Sequence, residues 1–180
     1  MSPRKSKTDP EIIEMQACKM AVASGKGTPV KVLTELIPAL YGSVYTLKFD
    51  LKKKGLPTFK IGTLRARYLD ANLVDKEDWN IYVGLPVPED TSELPQKIQS
   101  VKVNLETWEY GDVAQILHLG AYDEETVDIE RLLKFIQDEG YEVIGVHEEE
   151  YLTKPDAKVV KTIVRYPVRK KKILSTKISS

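Results

Sequence analysis

Twice along this chain a strand pattern runs through a turn into an amphipathic helix and on into two more strands. That repeated order is its strongest constraint on fold. In the first copy the apolar stretch Met15–Ala23 leads to Gly25-Lys-Gly27. Leu33, Leu36, Ile37, Leu40, Val44, Leu47 and Leu51 then recur at steps of three and four, which is one apolar helix face. Pro38 lies inside this run and predicts a kink or a helix start, because proline lacks an N–H and crowds the preceding turn. Lys52–Lys54 followed by Gly55 predicts the helix end. Strands are expected over residues 60–69 and 79–86, and the Pro-rich, polar stretch 89–100 reads as a linker.

In the second copy Val113–Leu119 alternates as a strand and Gly120-Ala-Tyr122 is the turn. Ile129, Leu132, Leu133 and Ile136 share a helix face, with Asp123, Glu124, Glu125 and Asp128 towards its start and Gly140 beyond its end. Residues 141–152 and 158–166 read as strands. Tyr68-Leu69 matches Tyr151-Leu152, and Leu85-Pro-Val87 matches Tyr166-Pro-Val168. The expected fold is therefore α+β: a tandem duplication of a β-α-β-β unit with pseudo-two-fold symmetry. An antiparallel sheet carries helices on one face, and a central ligand cleft lies where the units meet. The expected boundaries are a basic tail at 1–10, a domain at 11–168 with repeats of about 14–88 and 101–168, and a basic tail at 169–180.

Lysine plus arginine and aspartate plus glutamate each number 27, so the net charge is zero. The balance hides a segregation. Residues 1–8 and 168–180 hold eight bases and no acid, which leaves the body between them at −8. Nucleic-acid binders concentrate positive charge on the folded surface, so direct DNA binding is not expected. Residues 1–14 are also too short for a helix-turn-helix. An acidic body favours neutral or cationic small ligands. No apolar run approaches the ~18 residues that span a bilayer, and no secretory signal is visible, so the expectation is a cytoplasmic protein without membrane contact. The single cysteine, Cys18, excludes an internal disulfide and is most simply a buried small side chain. One Cys and two His cannot build a structural zinc site, and no phosphate loop, nucleophile elbow or dinucleotide fingerprint is present. No cofactor or metal is expected.

The most informative stretch is His147-Glu-Glu-Glu-Tyr151. Side chains on a strand alternate faces, so His147, Glu149 and Tyr151 share one side while Glu148 and Glu150 share the other. Three consecutive carboxylates suit a solvated edge strand. The alternative is a site with one glutamate on the floor of an aromatic cleft, where it attracts cations or acts as a general base. Tyr68, Tyr151, Trp79 and Trp108 are candidate walls, and all four also suit core packing. His118, at a strand end, reads either as a structural hydrogen-bonding group or as a site residue. His147-x-Glu149 has the look of a metal pair, but no third ligand is evident.

The combination of Ala39-Leu-Tyr-Gly-Ser-Val-Tyr-Thr-Leu-Lys-Phe49, His118-Leu-Gly-Ala-Tyr-Asp-Glu-Glu125 and Glu149-Glu-Tyr-Leu152 resembles the GyrI-like small-molecule-binding proteins, the effector-binding domains of bacterial multidrug-responsive regulators. The resemblance runs from about Glu11 to Val168. It implies a tandem β-α-β-β duplication forming a cleft, with the acid of the Glu-x-Tyr motif, here Glu149 beside Tyr151, inside it. The implied ligand is a lipophilic small molecule, cationic or neutral, that is sensed or sequestered. Stand-alone relatives include hydrolases that open cyclopropane rings of DNA-alkylating natural products, which would make Glu149 a general base. Inhibition of another protein on the same scaffold is a further alternative. Where stand-alone relatives carry Pro-Leu-Glu-Gly-Leu-Trp-Trp, this chain has Thr63-Leu-Arg-Ala-Arg-Tyr-Leu69. Arg65 thus stands at a family glutamate, and either Arg65 or Arg67 is a candidate partner for Glu149.

Overall fold

The computed structural model describes residues 7–71 and 73–173. Nine strands and two helices follow in order: β1 (Glu11–Met15), β2 (Cys18–Lys26), α1 (Pro29–Lys53), β3 (Leu64–Tyr68), β4 (Asn80–Pro86), β5 (Asn104–Trp108), β6 (Gly111–Leu119), α2 (Thr126–Asp138), β7 (Tyr141–Val143), β8 (His147–Tyr151) and β9 (Lys161–Lys170). The strands form one curled antiparallel sheet in the order β1-β6-β9-β8-β3-β4-β2-β5, with β7 on the far end of β9. Exchanging the two halves of the chain maps this order onto itself. β3 and β8 lie side by side at its centre, with Ala66 opposite Glu149.

Cross-strand partners share a face, so the registers sort the side chains without ambiguity. One row reads Ile116, Val164, Glu149, Ala66, Val83, Ala23 across six strands. Its first-half members join Leu36, Leu40 and Val44 of α1 in one core. Its second-half members join Leu132 and Ile136 of α2 in another. Both helices therefore cover the same face, and Glu149 is the one charged residue in the row, between the two cores. Each fully buried Leu, Ile or Val contributes roughly 1.5–3 kcal/mol, so the helix stripes are ample to fix this face as the inner one.

The adjacent row lies on the opposite face and reads Gln115, Arg165, Glu148, Arg67, Tyr82. Beside it, Glu150 stands opposite Arg65. Met20, Val22 and Trp108 pack at one end of this face with Tyr82 and Tyr110 alongside.

Several local expectations are corrected. The stretch over 15–23 is not one strand: β1 leaves the first half to pair with β6, and β2 starts anew at Cys18. α1 neither starts nor breaks at Pro38. It begins at Pro29 and runs through Pro38, which is exposed there, because the Leu36–Leu40–Val44 stripe holds the turns on either side. The end of α1 falls where expected, with Lys54 as cap and Gly55 at φ +68°. The strand over 141–152 is divided into β7 and β8, because Gly145 lies so close to the Pro167 ring that a Cβ there would sit 2.7 Å from it. β9 continues to Lys170, so Arg169 and Lys170 belong to the sheet and Arg169 pairs with Glu142 at 2.7 Å. The remainder of both basic tails falls largely outside the described residues.

Candidate functional site

Glu149 stands on the middle of the inner face, its side chain 12% exposed and held at both oxygens. His147 Nε2 lies 2.8 Å from Oε1, and the Tyr151 hydroxyl donates to Oε2 at 2.7 Å. Because Tyr151 spends its proton on Glu149, Tyr68 donates to Tyr151 at 2.8 Å. The other nitrogen of His147, Nδ1, meets the Tyr166 hydroxyl at 2.9 Å. The alternation of β8 presents His147, Glu149 and Tyr151 together, and the register with β3 sets Tyr68 directly opposite His147.

The turn into α2 closes this group from above. Tyr122 sets its ring edge-on to Tyr151 with centroids 5.6 Å apart, and Glu125, only 5% exposed, faces Glu149. Burial and then the Glu149 charge push the Glu125 carboxyl up to about 8. Burial also works against the Glu149 charge. Yet the hydrogen bonds from His147, Tyr151 and Glu125 outweigh it and hold that carboxyl below the usual range. At neutral pH the pair is therefore one carboxylic acid, Glu125, donating to one carboxylate, Glu149. Burial and the same carboxylate raise the tyrosines around it: Tyr166 to about 12, and Tyr68 and Tyr151 further. They stay neutral donors and apolar walls.

Of the residues singled out in the sequence, His147, Glu149, Tyr151 and Tyr68 meet in this group. Trp79 stands one layer behind, edge-on to Tyr68 at 5.8 Å. His118 is buried beyond it and ties the end of β6 to the start of α2, through Asp128 at 2.8 Å and the Ala121 carbonyl at 2.9 Å. It makes no hydrogen bond to Glu149.

Arg65 and Trp108 are not brought to Glu149, and neither is Arg67. All three lie on the opposite face, because strand parity and the β3–β8 register send Arg65 and Arg67 to the side of Glu150 and Glu148. There Arg67 Nε meets Glu148 at 2.7 Å and its guanidinium stacks 4.0 Å over the Trp108 ring. Arg165 bridges Glu148 at 3.0 Å and Glu150 at 2.6 Å, and Arg65 donates to the Tyr110 hydroxyl at 2.8 Å. Two of the three consecutive glutamates are thus neutralised structural anions, and Glu149 is the one left for the inner face.

Sequence reasoning missed Glu125, Tyr122 and Tyr166. The first was read only as part of the acidic start of a helix. It is also the third ligand-type residue that His147-x-Glu149 lacked: one donor atom from each of Glu125, His147 and Glu149 lies within 4.8 Å of the others. A depression of about 350 Å³ is lined by Glu11, Gln115, Leu117, Leu152 and Ile163 among others, and not by the Glu149 group where a cleft was expected.

Solved structures share this architecture. A hydrolase from Listeria innocua matches at TM-score 0.77 with 24% identity, over 92% of this chain and 94% of its own. An uncharacterized conserved protein from the same organism matches at 0.78 with 24% identity, over 90% and 93%. The C-terminal domain of EcmrR matches at 0.61 with 15% identity, over 90% and 98%. The fold is common to all four. No protein-family model matches the chain, and no curated protein does. Among the described residues no helix is long and apolar enough to cross a membrane.

Proposed function

We propose that this chain is a GyrI-like small-molecule-binding protein, built by tandem duplication, that takes lipophilic cationic or neutral compounds against Glu149 between its two helices. The observation that carries this reading is an ionised carboxylate buried on the inner face and surrounded by Tyr68, Tyr122, Tyr151 and Tyr166, with no arginine or lysine paired to it in the described structure. A buried anion with aromatic walls attracts a desolvated organic cation. Each aromatic face adds roughly 0.5–2 kcal/mol, and the carboxylate adds charge complementarity that a neutral analogue lacks. The palindromic strand order supports the duplication, and the shared architecture with the EcmrR domain supports the scaffold.

Titration with aryl phosphonium and quaternary ammonium cations, followed by Trp79 fluorescence through its contact with Tyr68, tests the reading. Saturable binding that weakens at least tenfold in Glu149→Gln is expected. Binding that is unchanged in that variant removes Glu149 from the function.

One observation favours a second reading, hydrolysis of strained electrophiles such as cyclopropanes. Glu125 and Glu149 form a carboxylic acid beside a carboxylate, the acid–base pair that such a reaction needs. Glu149 would take a proton from water as the water oxygen bonds to the ring carbon. The breaking C–C bond would pass its electron pair to the adjoining carbon, which accepts the Glu125 proton. Product formation abolished in both Glu149→Gln and Glu125→Gln is the expected signature, and binding without product rejects it.

A further inference from the structure

We propose that Glu125, His147 and Glu149 form a binding site for a single divalent first-row transition-metal ion of the zinc class. The geometry is nearly assembled. One donor atom from each residue lies within 4.8 Å of the others, and His147 Nε2 and Glu149 Oε1 are already 2.8 Å apart. Zinc–nitrogen and zinc–oxygen bonds of about 2.0–2.2 Å in a tetrahedral site set ligand atoms about 3.3 Å apart. Reaching that spacing needs Glu125 to move inward and the His147–Glu149 pair, now hydrogen-bonded at 2.8 Å, to part slightly.

A second observation is independent of the spacing. Glu125 is 5% exposed; beyond the proton it shares with Glu149, its Oε1 is buried with no N–H or hydroxyl donor facing it. A buried acceptor without a donor is uncommon and calls for a partner. The buried arginines Arg65, Arg67 and Arg165 do not supply one, because they are committed to Glu148 and Glu150 on the opposite face.

The outer shell is in place as well. Metal-bound imidazoles donate their second nitrogen to a fixed acceptor, and bound carboxylates are themselves hydrogen-bonded. In the ion-free chain His147 Nε2–H donates to Glu149; moving that proton to Nδ1, where the Tyr166 hydroxyl accepts it at 2.9 Å, would free the Nε2 lone pair for the ion. Tyr151 holds Glu149 Oε2 at 2.7 Å and leaves Oε1 for the ion. Two carboxylates, a neutral imidazole and a dication sum to zero charge, which suits a shielded site. One nitrogen and two oxygens select zinc, cobalt or manganese over magnesium and calcium, and three protein ligands leave a coordination position open. This inference does not rest on the organic-ligand reading and needs no organic ligand to be tested.

The test uses the full chain, free of any affinity tag and stripped of metal. Cobalt(II) titration is expected to give visible d–d absorption that saturates at one equivalent and is displaced by zinc. Glu125→Gln and His147→Ala should each weaken binding at least a hundredfold with unchanged far-UV circular dichroism, and Tyr166→Phe about tenfold. The chain has two histidines. Nitrogen-15 spectra of the unmutated protein should therefore show His147 shifting on zinc addition while His118 stays, a readout that stands if a variant fails to fold. Absence of one-equivalent binding, undiminished binding in Glu125→Gln and His147→Ala, a stationary His147 signal, or displacement of cobalt by excess magnesium would each overturn the proposal.

Discussion

Replacing Glu148 with leucine should be the most damaging single change on the face away from the helices. Glu148 is 2% exposed. Its Oε1 accepts from Arg165 at 3.0 Å, its Oε2 from Arg67 at 2.7 Å, and both oxygens from the Tyr110 hydroxyl at 3.1 and 3.2 Å. Removing one partner of a buried ion pair leaves an uncompensated charge and costs about 3–5 kcal/mol. Arg67 is the less exacting partner, since it is half-buried and keeps its seat over Trp108 at 4.0 Å. The burden falls on Arg165, 3% exposed, which would retain Glu150 at 2.6 Å and Gln115 at 3.2 Å. With that residual support the cost should fall near the lower end, about 3 kcal/mol. For a chain of this length that lowers Tm by roughly 6–12 °C. Urea and thermal unfolding followed by circular dichroism read it directly. The double variant Glu148→Leu/Arg165→Leu should lose less than the sum of the two single changes, by at least about 1.5 kcal/mol. A single-variant loss under about 1 kcal/mol, or strict additivity, would refute the view that these groups are a coupled buried lattice.

Three further outcomes follow from other parts of the molecule. Because Glu125 is raised to about 8, the folded chain holds a proton that the unfolded chain has released, so native stability falls as pH climbs from about 5 to about 8. The slope is at most about 1.4 kcal/mol per pH unit. Glu125→Gln should flatten that decline, and parallel pH–stability curves for the two proteins would contradict the assignment. Pro38→Ala should stabilise the chain by about 1–3 kcal/mol, since an exposed mid-helix proline forgoes a hydrogen bond without a packing return. An unchanged urea midpoint would show that α1 already absorbs the defect. Gly145→Ala should destabilise by about 1–3 kcal/mol, as its Cβ would meet Pro167 at 2.7 Å; a wild-type midpoint would show that the β7–β8 break yields freely.

What the residues themselves settle is local. The three-and-four spacing from Leu33 to Leu51 is enough to specify α1, because a helix face depends only on near neighbours. The period of two in β8 is enough to group His147, Glu149 and Tyr151 apart from Glu148 and Glu150. Which group faces the helices is not local. That depends on Ala66 meeting Glu149 across 83 residues of chain, and a slip of one residue in the β3–β8 register would invert the assignment. The same register sends Arg65 and Arg67 to Glu150 and Glu148, a pairing that sequence left open between them and Glu149. Glu125 reaches Glu149 only because α2 packs Leu132 and Ile136 onto the β6–β9 surface and lowers its first turn over β8. Alternation and helical stripes are written in short windows of sequence. The meeting of two carboxylates 24 positions apart is produced by cooperative burial of two helices on one sheet, and only the packed chain contains it.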